Sequence, residues 1–173
     1  MPRDTRQRSP VRIEPWDRGD LSLLERCVGD AAMMGHLGGP ESAEKIAERQ
    51  QRYERAGSGQ FKIVDAASGQ GVGWVGFWDS EWGGEEIYEI GWAVTLPFQG
   101  RGIAVPAARD VLDVARAQGG RRFVHAFPAL ANAPSNAICR RLGFALQGPC
   151  EVEYPPGTAM QSNDWRLDLR GSG

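Results

Sequence analysis

The stretch Gln99-Gly100-Arg101-Gly102-Ile103-Ala104 decides how this chain is read. It lies between a strand-like apolar run, residues 86–94, and a helix-like run, residues 103–118. A glycine-rich turn placed there leaves backbone N–H groups pointing outward where a helix's positive end begins. Glycine suits the turn because a Cβ would hold a ligand away from the backbone. The turn therefore reads as an anion site, with phosphate as the usual anion.

Working outward, the helix after the turn carries Ala104, Ala107, Ala108, Val111, Leu112 and Ala115 on one face. Pro106 falls in its first turn, where a missing N–H costs nothing. Beyond it the pattern predicts a strand over 123–127, a helix over 135–142, and strands over 145–153 and 165–169. Upstream, residues 11–16 read as a strand, and Asp20 reads as the N-cap of a helix bearing Leu21, Leu24, Cys27 and Val28. A second helix is expected over 41–56, then strands over 61–65, 72–78 and 86–94 joined by short glycine turns. The whole predicts one mixed α/β domain over 11–170: an antiparallel meander, a βαβα segment and a final hairpin, with helices on both faces of one sheet. Residues 1–10 read as a solvated tail.

Composition narrows the function. A chain of 173 residues with 41% hydrophobic and 24% charged residues is ordinary for a globular domain. A net charge of -2 argues against a general nucleic-acid binder and gives weak support to a cationic substrate. Cys27, Cys139 and Cys150 are odd in number and lack metal-ligand spacing, so neither a disulfide framework nor a metal site is expected. No run reaches transmembrane length and no apolar stretch follows the arginines near the N-terminus. A cytoplasmic protein with no membrane or nucleic-acid partner is expected, as a monomer or homodimer.

Gly71-Val72-Gly73-Trp74-Val75-Gly76 matches the dinucleotide fingerprint by letter, yet Phe77-Trp78 continue a strand pattern where a helix is required. These glycines instead read as room on a sheet face for bulky aromatics or a ligand. A second constellation is more specific. Asn132-Ala133-Pro134-Ser135 leads into a short helix closed by Leu142-Gly143-Phe144, with Asn132 or Ser135 able to cap it. Gln99-x-x-Gly102-x-Ala104 resembles the pyrophosphate signature Q/R-x-x-G-x-G/A of the GNAT superfamily of N-acetyltransferases. Asn132-x-x-Ser135 with Leu142-Gly143-Phe144 resembles that superfamily's second coenzyme A segment. Together with Tyr88-Glu89-Ile90-Gly91-Trp92, these motifs look most like the branch that acetylates N-terminal alanine or serine of ribosomal proteins.

The resemblance implies direct transfer of acetyl from acetyl-CoA to a primary amine, on a protein N-terminus or a small molecule such as an antibiotic. It implies that Gln99, Gly100, Arg101, Gly102, Ile103 and Ala104 hold the pyrophosphate. The strand ending in Trp92, Ala93 and Val94 would run beside the pantetheine and polarise the thioester carbonyl. The strand of His125 would splay away to leave a slot, and Asn132, Ser135 and Asn136 would border the thiol end. Glu89 is the expected base, acting through a water, with Glu86 its competitor as base or substrate contact. An α-amine is partly neutral near pH 8, whereas a lysine-like amine is almost wholly charged. Many members carry a tyrosine four residues before the Gly-Phe pair to protonate the leaving thiolate. Here Cys139 stands in that place, a candidate acid but read first as a buried packing residue, with Ser135 the alternative acid, and a non-catalytic acyl-CoA-binding module is the rival reading. Trp78 and Trp82 are the favoured acceptor contacts among Trp74, Trp78, Trp82, Trp92, Met33, Met34 and His36. His125 and His36 are read as packing or surface residues, and Tyr154-Pro155-Pro156-Gly157 as a loop over the acceptor site.

Overall fold

The alternation of large apolar and small residues through positions 60–94 folds into three antiparallel strands, as the meander predicts. The computed structural model describes residues 8–171, so the tail expected over 1–10 lies outside the described residues as far as position 7. The strands are β1 (Val11–Pro15), β2 (Gln60–Asp65), β3 (Gly71–Trp82), β4 (Glu85–Val94), β5 (Phe123–Ala126), β6 (Ala145–Glu153) and β7 (Ala159–Asp168). They form one sheet in the order β1-β2-β3-β4-β5-β7-β6. The helices are α1 (Leu21–Val28), α2 (Ala43–Tyr53), α3 (Ala104–Gln118) and α4 (Ala133–Arg141).

Two hydrophobic cores sandwich the sheet. On one side, Ala107, Ala108, Val111 and Ala115 of α3 pack with Val75, Phe77, Tyr88, Ile90 and Val124. On the other, Leu23, Leu24 and Cys27 of α1 join Ile46 and Tyr53 of α2, with Trp74 and Ala93 beneath them. Successive strand residues point to opposite faces, so each residue's core follows from its parity.

Local signals are partly redistributed. Asp20 precedes α1 without a side-chain cap. Its carboxylate instead accepts from the Asp17 N–H at 2.9 Å and from Lys62 Nζ at 3.1 Å. Ser42 caps α2, Asn132 caps α4, and Pro134 fits α4's first turn. The fingerprint-like glycines lie inside β3, as their strand context predicts. Gly91 of β4 supplies the room they were expected to give, because a Cβ there would meet the Trp74 and Trp78 rings at 2.8 and 3.1 Å.

β3 continues four residues past its expected end, to Trp82, and β7 begins six residues earlier than expected, at Ala159. Both extensions carry side chains into the candidate site. The β4–β5 pair is parallel, and its register covers only Tyr88↔Val124 and Glu89↔His125. Beyond Glu89, β4 runs on to Val94 while β5 turns to pair with β7. The sheet therefore forks at Glu89 and His125.

Candidate functional site

The site begins with the glycine turn at the far end of β4. Gly100 and Gly102 adopt φ of +72° and +71°, and a Cβ on either would meet no atom within 4 Å. No described backbone acceptor takes the N–H groups of Gly100, Arg101, Gly102 or Ile103. α3 starts immediately afterwards with no side-chain cap and no acidic residue in its first turn. Open N–H groups and an uncapped helix start together make a donor-rich, anion-attracting cradle. Gln99 braces it by donating Nε2 to the Val94 carbonyl at 2.9 Å, and the Arg101 guanidinium lies 4.9 Å over the Phe98 ring. Gln99 to Gly102 are exposed, whereas Ile103 and Ala104 are buried and anchor the turn.

The second element is the fork. Trp92 Nε1 on β4 donates to Ser135 Oγ on α4 at 3.3 Å. Asn132 accepts from the Ser135 N–H at 3.2 Å, fixing the start of α4. Two expectations are corrected here. The Asn136 amide is fully committed within the protein: its nitrogen donates to the Ala129 and Asn132 carbonyls, and its oxygen accepts from Asn163 and Trp165. It locks α4 onto β7 and has no donor left for a cofactor. Cys139 is completely buried in the α3-side core, where desolvation pushes its thiol up to about 12. It cannot reach a ligand and is a packing residue.

Glu89 sits on the opposite, α1–α2 face of the sheet, half-buried beside its register partner Trp78. Burial pushes its carboxyl above the usual range, against the opposing pull of Ser80 and Trp78. Glu86 does not share this face. It lies three positions from Glu89, an odd offset, so it points away, exposed, 3.7 Å from Arg121. Trp92 likewise faces the α3–α4 side, and Met34 is core.

Aromatic side chains extend from Glu89 in both directions. Trp78 stacks with Trp74, and Trp74 with Tyr53 of α2. Tyr53 accepts from Arg49, which pairs with Glu41 and also donates to Tyr154 Oη at 3.3 Å. The Tyr154 loop thus docks on α2 at the rim of this face. On the other side, Trp82 Nε1 donates to Asp164 Oδ2 at 2.9 Å, and the Trp82 ring packs on Phe127.

Asp164 and His125 were not among the expected site residues. Asp164 Oδ1 lies 2.6 Å from His125 Nδ1, with both residues buried. The detectable signal was alternation through Ser162-Asn163-Asp164-Trp165-Arg166, which places Asp164 and Arg166 on the Glu89 face once β7 is extended upstream.

The comparisons with known proteins agree with this architecture. The model of the acetyltransferase (GNAT) domain family matches residues 11–145. A GNAT-family acetyltransferase from Bacillus anthracis superposes with a TM-score of 0.77 at 18% identity, covering 94% of this chain and 96% of that one. The ribosomal-protein-S5-alanine acetyltransferase of Vibrio fischeri gives 0.74 at 14% identity, covering 93% and 94%. The spermidine N-acetyltransferase of Vibrio cholerae, solved with CoA and spermine, gives 0.75 at 16%, covering 93% and 96%. No curated protein matches the sequence.

Proposed function

We propose, from the premise that this chain belongs to the GNAT acetyltransferase family, that it moves acetyl from acetyl-CoA to a primary amine positioned at Glu89. The carrying observation is the unpartnered N–H cradle at Gly100–Ile103, one strand-length from a half-buried carboxylate at the sheet fork. The cradle fits a diphosphate. Its glycines leave the space open, its donors are unspent, and the α3 start adds positive potential. Gln99 to Ala104 would hold that group, Trp92 to Val94 would flank the arm, and Asn132 and Ser135 would border the thiol end. Bound acetyl-CoA supplies the activated acyl thioester.

The chain's own residues supply the rest. β4 past the fork offers backbone donors unclaimed by β5, suited to an oxyanion role at the thioester carbonyl. Glu89 accepts a proton from the amine, directly or through a water. Its raised carboxyl makes it a better proton acceptor than an exposed glutamate, provided the pH keeps it ionised. The acceptor is a primary amine on a protein N-terminus or a small molecule, held against Trp78 and Trp82. The fold neighbours act on both kinds, a ribosomal-protein alanine and spermidine.

The test has two stages. Acetyl-CoA should raise the melting temperature by mass action, and no shift would sink the reading. An alanine-starting peptide and a linear polyamine should then be offered side by side while free thiol is measured. Binding without thiol release on any amine would point instead to an acyl-CoA-binding module.

A further inference from the structure

We propose that His125, oriented by Asp164, is a second proton-transfer residue of the site and serves the leaving thiolate. The inference rests on the acetyltransferase reading above. An ammonium acceptor must lose two protons in becoming an amide, while the departing sulfur gains one. Glu89 accounts for one of these transfers. Of the two acids expected, Cys139 is sealed in the core, and Ser135, whose hydroxyl proton stays free when it accepts from Trp92, is an alcohol and a far weaker acid than a thiol. A further proton carrier is needed at the fork.

His125 stands there. It is the register partner of Glu89 on the neighbouring parallel strand, so the two side chains leave the sheet on the same face, at the last pair before the strands part. Asp164 Oδ1 lies 2.6 Å from Nδ1, and the carboxylate is itself fixed by the Trp82 N–H on its other oxygen. A carboxylate only accepts, so Nδ1 carries a proton, and in the neutral ring Nε2 then presents a lone pair. Among the described residues Nε2 makes no hydrogen bond. Stacking on Phe127, with centroids 5.7 Å apart and planes at 18°, holds the ring's orientation. Arg166 is the register partner of His125 from β7, and its guanidinium is taken up over Phe123. This is the arrangement by which an aspartate fixes a histidine's tautomer and steadies the imidazolium that forms.

The protons balance as follows. Glu89 takes one proton from the ammonium, and the free amine attacks the thioester carbon, forming the N–C bond. His125 Nε2 takes the second proton from the nitrogen of the adduct. The C–S bond then breaks, and the imidazolium gives its proton to the departing sulfur, since an imidazolium is a stronger acid than a thiol. Glu89 returns its proton to solvent, so one proton is released per amide formed. Asp164 touches no reacting atom and is a positioning residue.

The test is His125→Asn with Asp164→Asn beside it, using whichever amine the wild type acetylates. Asparagine's side-chain nitrogen takes the place of Nδ1 and keeps the bond to Asp164, while removing Nε2. A purely structural histidine would therefore be rescued. The expected result is a kcat lower by at least about a hundredfold, with KM for acetyl-CoA and the acetyl-CoA-induced melting shift unchanged. Asp164→Asn should lower kcat in the same direction, again sparing KM. If either folded variant turns over at the wild-type kcat, the assignment is overturned. A wild type that releases no thiol with any amine overturns the acetyltransferase reading and this inference with it.

Discussion

On the function proposed above, the two faces of the sheet would carry two halves of a reaction site, and they are built in opposite ways. The donor side is contiguous: Gln99 to Ala104 form one turn whose glycines adopt left-handed φ and whose N–H groups are left open. The acceptor side is assembled from parts far apart in sequence, with Glu89 on β4, His125 on β5, and Trp82 bonded to Asp164 across 82 positions. Backbone recognition of a phosphate needs only a short run of glycines ahead of a helix, so its pattern is local. Recognition of an amine needs carboxylates and aromatics brought together by strand register, and that register is decided by the whole sheet.

The most severe break in the acceptor half is Glu89→Gln. Loss of a positioned base should cut kcat by roughly 10²–10⁴. The same change should stabilise the protein. Burial raises the Glu89 carboxyl in the folded state above its unfolded value, so folding favours the protonated form. The contribution that favours folding is present at acid pH and lost as pH rises through the folded-state value. Melting temperature should therefore rise in Glu89→Gln at neutral pH and match wild type under acid conditions. In the wild type, kcat/KM should climb with pH through the same raised value. An unchanged kcat would remove Glu89 from the chemistry, and an unchanged neutral-pH melting temperature would show that its burial carries no cost.

The donor half breaks differently. Gly102→Ala puts a Cβ where nothing in the protein meets it but where a ligand must approach the backbone. A left-handed φ on an L-residue costs about 1–2 kcal/mol, which a lower melting temperature of the ligand-free variant would register. Acetyl-CoA affinity should fall by about tenfold or more, equivalent to roughly 1.4 kcal/mol or more. Isothermal titration with acetyl-CoA checks this. Full affinity in Gly102→Ala would place the diphosphate elsewhere.

Legibility followed the same division. The meander, the turn and α3 could be read in the sequence, because glycine placement and apolar periodicity encode them locally, whereas the sheet fork followed only from the family resemblance. Asp20 could be located but not its partners, since Lys62 lies on β2 and competes for the carboxylate. Asn136 had the right residue type for a ligand contact, yet four hydrogen bonds inside the protein consume it. Asp164 was hidden because the polar run Gln161-Ser162-Asn163-Asp164 does not look like a strand. That run pairs all the same, with Ser162 fully buried and Cys150 opposite it.

Trp82→Phe is a gentler probe of the join between these distant parts. It keeps an aromatic ring to pack on Phe127 and deletes only the N–H that Asp164 accepts. A hydrogen bond to a charged group contributes about 1.5–3 kcal/mol, part of which a water near this half-buried side chain can restore. A fall of about three- to tenfold in kcat/KM for the amine is expected, with acetyl-CoA affinity unchanged. Equal losses for amine and acetyl-CoA would mean that Trp82 supports the fold at large and not the acceptor side.

Glu86→Gln should do least. By charge and sequence position Glu86 competes with Glu89 as the base, and only the strand's alternation separates them. Odd spacing along β4 sends the two carboxylates to opposite faces: Glu89 beside Trp78, Glu86 into solvent opposite Glu81 and 3.7 Å from Arg121. An exposed pair of that length contributes about 0–1 kcal/mol. Its loss should leave kcat, KM and melting temperature near wild type, and added salt should erase what remains of the difference. A large kcat loss in Glu86→Gln with Glu89→Gln unaffected would invert the assignment. The register of β4 would then have to slip by one residue, carrying Tyr88 and Ile90 out of the α3 core and Gly91 out from beneath the two tryptophans.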